Sequence, residues 1–279
     1  MLVEQVVCQN EYDRLEHVVV VPPKFMRIGK VINETQKLYK EDNIDINKAT
    51  EQHQQFVSVL EREGVNVIKL DPDPSLNEQV FTRDIGFTIG DKVIIAAMAS
   101  KVRAEETKYL IEKLDDYQIP YQEQRSSSIE GGDVLIDNNK IWVGISDRTT
   151  QEAIDHLKLE LPNYQIESIT LTEGILHLDC TFNIVSPDLA LIYQAGMVKS
   201  DYQKLKSTYQ LIHVDDEEQF TLGTNVLSIG EQKVISLPEN KEVNHALRER
   251  GFKVIEVPFN EIIKSGGSFR CCTMPITRL

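Results

Sequence analysis

Four stretches of the chain repeat one pattern, and that repeat limits the fold more than any other feature. Residues 85–97 (IGFTIGDKVIIAA), 133–145 (DVLIDNNKIWVGI), 182–194 (FNIVSPDLALIYQ) and 225–237 (NVLSIGEQKVISL) each read as two apolar strands around a short polar turn. The turns centre near Asp91, Asn138, Pro187 and Glu231, so the hairpins recur about every 45 to 50 residues. A helical pattern follows each hairpin, over 102–116, 148–159, 200–208 and 240–250. In the first of these, Tyr109, Leu110 and Leu114 share one face while charges fill the other. A short strand then follows each helix, near 119–123, 164–171, 209–214 and 253–257. The chain ends supply a fifth unit. LEHVVVVP (15–22) pairs with the C-terminal CCTMPI, and helix 47–64 and strand 66–70 complete it.

A unit this small cannot bury both faces of its sheet alone. Five ββαβ units set radially would share one core, with helices outside and strands toward the axis. Residues 1–279 would then form a single α/β domain. The competing arrangement is an open, doubly wound α/β sheet, but the unvarying order of elements favours the radial one. Residues 23–46 are the longest stretch outside the repeat. They read either as a lid or binding loop or as a solvated connector.

Composition narrows the function. With 44 acidic and 30 basic residues the net charge is −14, which opposes nucleic acid as the main partner. No apolar run is long enough to span a bilayer. The first residues also lack the basic-then-apolar order of a signal peptide. A cytoplasmic location is therefore expected, with no membrane partner. Four cysteines, Cys8, Cys180, Cys271 and Cys272, are too few for a disulfide framework and do not have zinc-site spacing. Cys8 and Cys180 read first as small buried hydrophobes.

The residues just before the hairpins carry the chemistry. The five junctions are FTRD (81–84), EGGD (130–133), HLD (177–179), LGTN (222–225) and GGSFRC (266–271). Equivalent points of a radial repeat converge at the axis. Asp84, Glu130, Asp133, His177, Asp179 and Cys271 should therefore surround one central cavity. Each alone has an ordinary reading: a core histidine, a glycine turn, a surface ion pair. Together they place a nucleophile, a base and several carboxylates at one structural position. A cysteine with a histidine suggests covalent catalysis through a thiolate. The extra carboxylates suit a cation, and a planar guanidinium matches paired carboxylates edge on.

At these residues the sequence resembles the guanidino-group-modifying enzymes: arginine deiminase, dimethylarginine dimethylaminohydrolase and the amidinotransferases. FTRDIGF, EGGDV, GISDRTT, HLDCTFNI, LGTNVL and GGSFRCCTMPI occur in the family's order and cover nearly the whole chain. The resemblance implies a five-bladed α/β propeller with pseudo-fivefold symmetry. It implies Cys271 as nucleophile and His177 as general acid, later base. Asp84, Glu130 and Asp179 are implied as substrate-binding carboxylates, and Arg148 as the partner of a substrate carboxylate. Arg148 alternatively reads as a surface charge at a helix start.

The implied reaction is hydrolysis of a guanidino group of arginine or a substituted arginine through an S-alkylthiouronium, with no metal or cofactor. An amine acceptor in place of water would make it an amidinotransferase. A non-enzymatic module is a third class, because propellers of this shape also occur in a ribosome-associated translation factor. The retained Cys, His and carboxylates argue against it. Arg270 departs from the histidine that commonly precedes the nucleophile in deiminases and amidinotransferases. In length the chain is similar to dimethylarginine dimethylaminohydrolase, while FTRD and EGGD are more deiminase-like. The reading leaves room for a homodimer.

Overall fold

The hairpins form where the polar turns allow it. Asn138 sits at φ 57° and Gly90 at φ 58° between their paired strands, the left-handed conformation that tight hairpins require. The computed structural model describes residue 3, residues 5–124 and residues 127–279. In it, five three-stranded sheets repeat one topology. The second strand of each is antiparallel to the first and parallel to the third. In the second blade, Lys92–Ile95 pairs antiparallel with Gly86–Ile89 and parallel with Tyr121–Glu123. The blades built on Val134–Asp137, Phe182–Ser186 and Leu227–Gly230 follow the same rule. In the first blade Leu15–Val20 lies between Met274–Arg278, antiparallel, and Asn66–Lys69, parallel. The chain ends thus share one sheet, as the fifth unit requires.

One hydrogen bond at each boundary traces the closed ring. Thr88 donates to the Pro275 carbonyl at 2.8 Å, and the Gly131 amide donates to the Asp84 carbonyl at 3.1 Å. The Leu178 amide donates to Asp133 at 2.9 Å, Asn183 to the Val226 carbonyl at 2.7 Å and Arg278 to the Ser228 carbonyl at 2.9 Å. The architecture is the five-bladed α/β propeller, not an open sheet. Among the described residues no helix is long and apolar enough to cross a membrane.

Helices cover the ring because one face of each is apolar. Ile46–Arg62 starts at Asp45, whose carboxylate accepts from the Asn47 and Lys48 amides. It buries Ala49, Phe56, Val57, Val59 and Leu60 against Val18 and Val20. Burial of a side chain the size of Phe56 contributes roughly 1.5–3 kcal/mol.

Two helices start later than their patterns suggest. The pattern from 102 becomes a helix only at Glu106, and that from 148 only at Gln151. In both cases an arginine preceding the helix, Arg103 or Arg148, is turned inward and buried. Two short helices, Asp216–Phe220 and Asn260–Ile263, were not apparent from the pattern.

Two segments outside the repeat close the ends of the ring. Residues 7–10 bridge to Thr277, Gly90 and Asp137, crossing three blades at the end where the hairpin turns lie. Residues 23–46 cover the other end, where the junctions lie. Their one helix is Glu34–Tyr39, capped by Asn33, which accepts from the Gln36 amide at 2.9 Å.

Candidate active site

The junction residues do converge. Cys271, His177, Asp84 and Arg148 line one pocket with Glu78, Phe81, Arg103, Leu176, Ile32 and Asn33. The double glycine of EGGD is required by proximity. A Cβ on Gly131 would lie 2.1 Å from the Arg83 carbonyl oxygen, and one on Gly132 would lie 2.8 Å from both Asp84 Oδ1 and the His177 ring. Only glycine lets the second junction approach the first and the third this closely.

His177 is gripped from both edges. Its Nε2 is 2.8 Å from Glu130 Oε2, and its Nδ1 is 3.6 Å from Asp84 Oδ1. Burial opposes its charge, but Asp84, the Glu130 hydrogen bond and Asp133 outweigh burial and push its pKa up to about 10. His177 therefore carries a proton at neutral pH. Burial raises the Glu130 carboxyl, yet His177, Arg103 and Arg148 overcome that and hold it below its usual value.

Glu130 is committed behind His177 and does not line the pocket. Its second oxygen accepts from the Ala99 amide at 3.1 Å. Asp133 has a supporting place: it accepts from the Leu178 amide at 2.9 Å and from Ser146 at 2.7 Å. Burial pushes its pKa up to about 6.

Asp84 and Arg148 each present an unsatisfied atom. Asp84 Oδ2 accepts from Arg103 Nη1, but buried Asp84 Oδ1 has no hydrogen bond. Arg148 Nη2 donates to the Ile32 carbonyl at 3.0 Å, while buried Arg148 Nη1 has none. Each has only an ion-pair partner beyond hydrogen-bond range, His177 at 3.6 Å from Asp84 Oδ1 and Glu130 at 3.7 Å from Arg148 Nη1, so a ligand in the pocket could supply the missing hydrogen bonds. The acceptor suits a cation and the donor an anion. Arg148 is therefore a lining residue and not a surface charge.

Asp179 lies beneath the sulfur. Its carboxylate is 3.7 Å from Cys271 Sγ and accepts from Arg270 Nη1 at 2.9 Å. Burial first, then Asp84, raise the Asp179 carboxyl, with Arg270 opposing. Arg270, at the position that departs from the resembled pattern, is fully buried. It reaches Glu11 at 3.0 Å and the Val134 carbonyl at 3.2 Å. Burial works against its charge, but Glu11, Asp179 and Cys271 hold it cationic.

Several contributors had no sequence signal strong enough to single them out. Glu78 lines the pocket and is held by Gln36 and Ser265 at 2.8 and 2.9 Å. Burial pushes its pKa up to about 7. Arg103 binds Asp84 and Glu106, and Glu11 anchors Arg270 from the N-terminal segment. Asn225, in the LGTN junction, accepts from the Cys271 amide at 3.2 Å and donates to the Asp179 carbonyl at 3.1 Å. Its place at a junction was the available signal.

The pocket is shut. Its free volume is ≈ 10 Å³, room for one water at most. The roof comes from 23–46: Asn33 donates to the Ser265 carbonyl at 2.9 Å, and Gln36 donates to Glu78 and to Ser265.

Comparison with known proteins agrees with this arrangement. Residues 22–278 match the family described as N,N dimethylarginine dimethylhydrolase, eukaryotic. The uncharacterized protein YkgA of Bacillus subtilis (strain 168) is 47% identical over 272 residues, covering 98% of this chain and 95% of that protein. The arginine deiminase of Bacillus cereus (strain ATCC 10987 / NRS 248) is 30% identical over 261 residues, 75% of this chain, which spans 63% of the deiminase's length.

Two solved structures share the fold at lower identity. The N-terminal domain of ArgZ, an arginine dihydrolase from cyanobacteria, superposes with a TM-score of 0.87 at 22% identity, covering 94% of this chain and 98% of that one. SxtG, an amidinotransferase of Microseira wollei in saxitoxin biosynthesis, gives 0.86 at 20% identity, with 98% and 97% covered. The repeat, the converging junctions and the matched length together mean that this chain belongs to the dimethylarginine dimethylaminohydrolase family of the guanidino-group-modifying (pentein) superfamily.

Proposed function

We propose that the protein, acting as one domain over residues 1–279, is a cysteine hydrolase of the guanidino group of arginine or a substituted arginine. One observation carries the reading. An Asp84 oxygen and an Arg148 N–H that make no hydrogen bond, and have only distant ion-pair partners in His177 and Glu130 at 3.6 and 3.7 Å, line the same closed pocket as Cys271 and His177. A molecule with a guanidinium at one end and a carboxylate at the other would satisfy both.

In the reaction, the Cys271 thiolate attacks the guanidinium carbon. The S–C bond forms and the C=N bond becomes single. His177, protonated at neutral pH, gives its proton to the departing nitrogen, and the C–N bond breaks to release an amine or ammonia. An S-alkylthiouronium remains on Cys271. Neutral His177 then takes a proton from water as its oxygen bonds to that carbon, and the sulfur leaves to give a ureido product. Arg103 and Glu130 fix Asp84 and His177, so that attack is unimolecular within a set geometry. Asp179 and Arg270 hold the sulfur from below.

The test is a panel of guanidines, including arginine and methylarginines, with products identified by mass. A ureido product from one of them is expected, and Cys271→Ala should lower turnover by ~10⁴-fold or more. Full turnover in Cys271→Ala would overturn the reading. A new guanidine formed only when an amine acceptor is added would replace hydrolysis by amidino transfer. Activity should also fall as pH rises through about 10, where His177 loses its proton.

A further inference from the structure

The reaction above uses one sulfur, yet a second stands beside it. The thiols of Cys180 and Cys271 and an oxygen of Asp179 all lie within 4.8 Å of one another. Both thiols donate to that carboxylate, Cys180 at 3.7 Å to Oδ1 and Cys271 at 3.7 Å to Oδ2. The two backbone segments are tied together. Asn225 links the Cys271 amide to the Asp179 carbonyl, and Thr224 and Gln219 donate to the Cys180 carbonyl at 2.8 and 2.7 Å.

Cys180 does not line the guanidine pocket. It lines an adjoining cavity of ≈ 370 Å³ beside the helix Glu34–Tyr39, with Phe220 and Leu222, divided from the guanidine pocket by Asn33, Leu176 and Gly266, which line both. This thiol is therefore held against the nucleophile from outside the substrate's space, where guanidine chemistry has no use for it.

We propose that Cys180 is a resolving thiol for Cys271, and that a hydroperoxide converts the pair into a reversible disulfide that switches the site off. This deepens the proposed function, and only its inhibitory effect rests on Cys271 being the nucleophile. In the first step the Cys271 thiolate attacks one peroxide oxygen. The S–O bond forms, the O–O bond breaks, and the leaving oxygen takes the proton that the Cys271 thiol gave up, becoming water from hydrogen peroxide or an alcohol from an organic hydroperoxide. The sulfur is oxidised to a sulfenic acid and the peroxide is reduced. In the second step Cys180 loses its proton and attacks the Cys271 sulfur. The S–S bond forms and the S–O bond breaks, and the hydroxide leaves with that proton as water.

Its contact with Cys271, then burial, hold the Cys180 thiol well above the usual range, so Cys180 stays a neutral thiol while the peroxide meets the Cys271 thiolate. Cys272, the sequence neighbour of Cys271, is not part of this cluster among the described residues.

The test treats the full, reduced chain with a small excess of hydrogen peroxide and follows mass and activity together. The intact mass should fall by about 2 Da, and a peptide linking Cys180 to Cys271 should appear after digestion. Guanidine turnover should drop about tenfold or more and return with a dithiol reductant. Cys180→Ser should instead gain about 16 to 32 Da and, compared with its own untreated activity, recover poorly with reductant. Cys272→Ser should behave as the parent does.

Added oxygen without a linked peptide in the parent would overturn the proposal, as would a Cys271–Cys272 link. So would full recovery in Cys180→Ser. A Cys180–Cys271 link in a protein inactive on every guanidine would keep the disulfide and remove the proposed function. An active enzyme that forms no link would do the reverse.

Discussion

The pocket has a floor and a roof, and they are held by different physics. Below Cys271 runs a buried chain of charges. Asp179 meets Arg270, Arg270 meets Glu11, and Glu11 also lies 3.7 Å from Arg83. All four are almost wholly buried. Above Cys271 the roof is tied down mainly by neutral donors, the amides of Asn33 and Gln36 and the Ser265 hydroxyl, with one charged donor, Arg148, on the Ile32 carbonyl. A buried charge loses its water and cannot recover it locally, so every member of the floor depends on the others. An amide released from the roof can bond to water instead, so opening costs little. The part that must stay fixed is thus built from groups that cannot be released singly. The part that must move to admit substrate is built from groups that can.

The sharpest way to break this contrast is Glu11→Gln. The amide keeps the shape and can still accept from the Ile136 amide, which bonds Glu11 at 3.2 Å. It removes the charge that faces Arg270, Arg83 and Arg278, the three cations that hold the Glu11 carboxyl below its usual value against burial. Removing one partner of a buried ion set costs about 3–5 kcal/mol. Urea unfolding should show a loss of that size. A loss under about 1 kcal/mol would mean that the floor is not held by charge.

Glu78 lies where floor and roof meet, and its effect depends on pH. Its folded pKa is about 7, raised from 4.5 mainly by burial. The folded state therefore binds this proton more tightly than the unfolded chain does. The resulting stability is fully present below about 4.5 and is lost as pH rises through about 7. Glu78→Gln stays neutral at every pH and can still bond Gln36 and Ser265. The variant should match the parent in acid and exceed it in stability by about 3 kcal/mol above neutrality. Thermal or urea unfolding from pH 4 to pH 8 checks the sign, and parallel curves would remove Glu78 as the cause. Its substrate turnover is a separate readout, because Glu78 also lines the pocket.

The blades were legible because a strand buried on both faces must be apolar, as Val18–Val20 and Ile94–Ile95 are. Their turns must also carry residues tolerant of positive φ. His177, Asp84 and Cys271 were legible because a radial repeat forces equivalent junctions together. Helix starts were misread at 102 and 148, since local pattern cannot show that Arg103 and Arg148 are recruited inward. Glu11 and Glu78 were invisible for a similar reason. Each sits in an irregular stretch whose position over the axis is set by the whole ring. Glu130 was expected to face substrate. Its backing of His177 follows from the close approach at Gly132, a contact that spacing along the chain cannot show.

The smallest effect is expected in the roof. Asn33→Ala removes the cap that accepts from the Gln36 amide and the donor to the Ser265 carbonyl. Loss of a helix cap typically costs ~1 kcal/mol, and the freed Ser265 carbonyl can be reached by water once the roof lifts. Global stability should therefore fall only slightly. The closed state of the pocket should be depopulated about fivefold by the same energy. If closure is needed for turnover and opening for release, kcat and KM should change together, with KM rising most. Hydrogen exchange should quicken at residues 33–39 and leave the Cys271 and Asn225 segments protected. Equal loss of protection in both regions would show roof and floor to be one cooperative unit, and the contrast between them would fall.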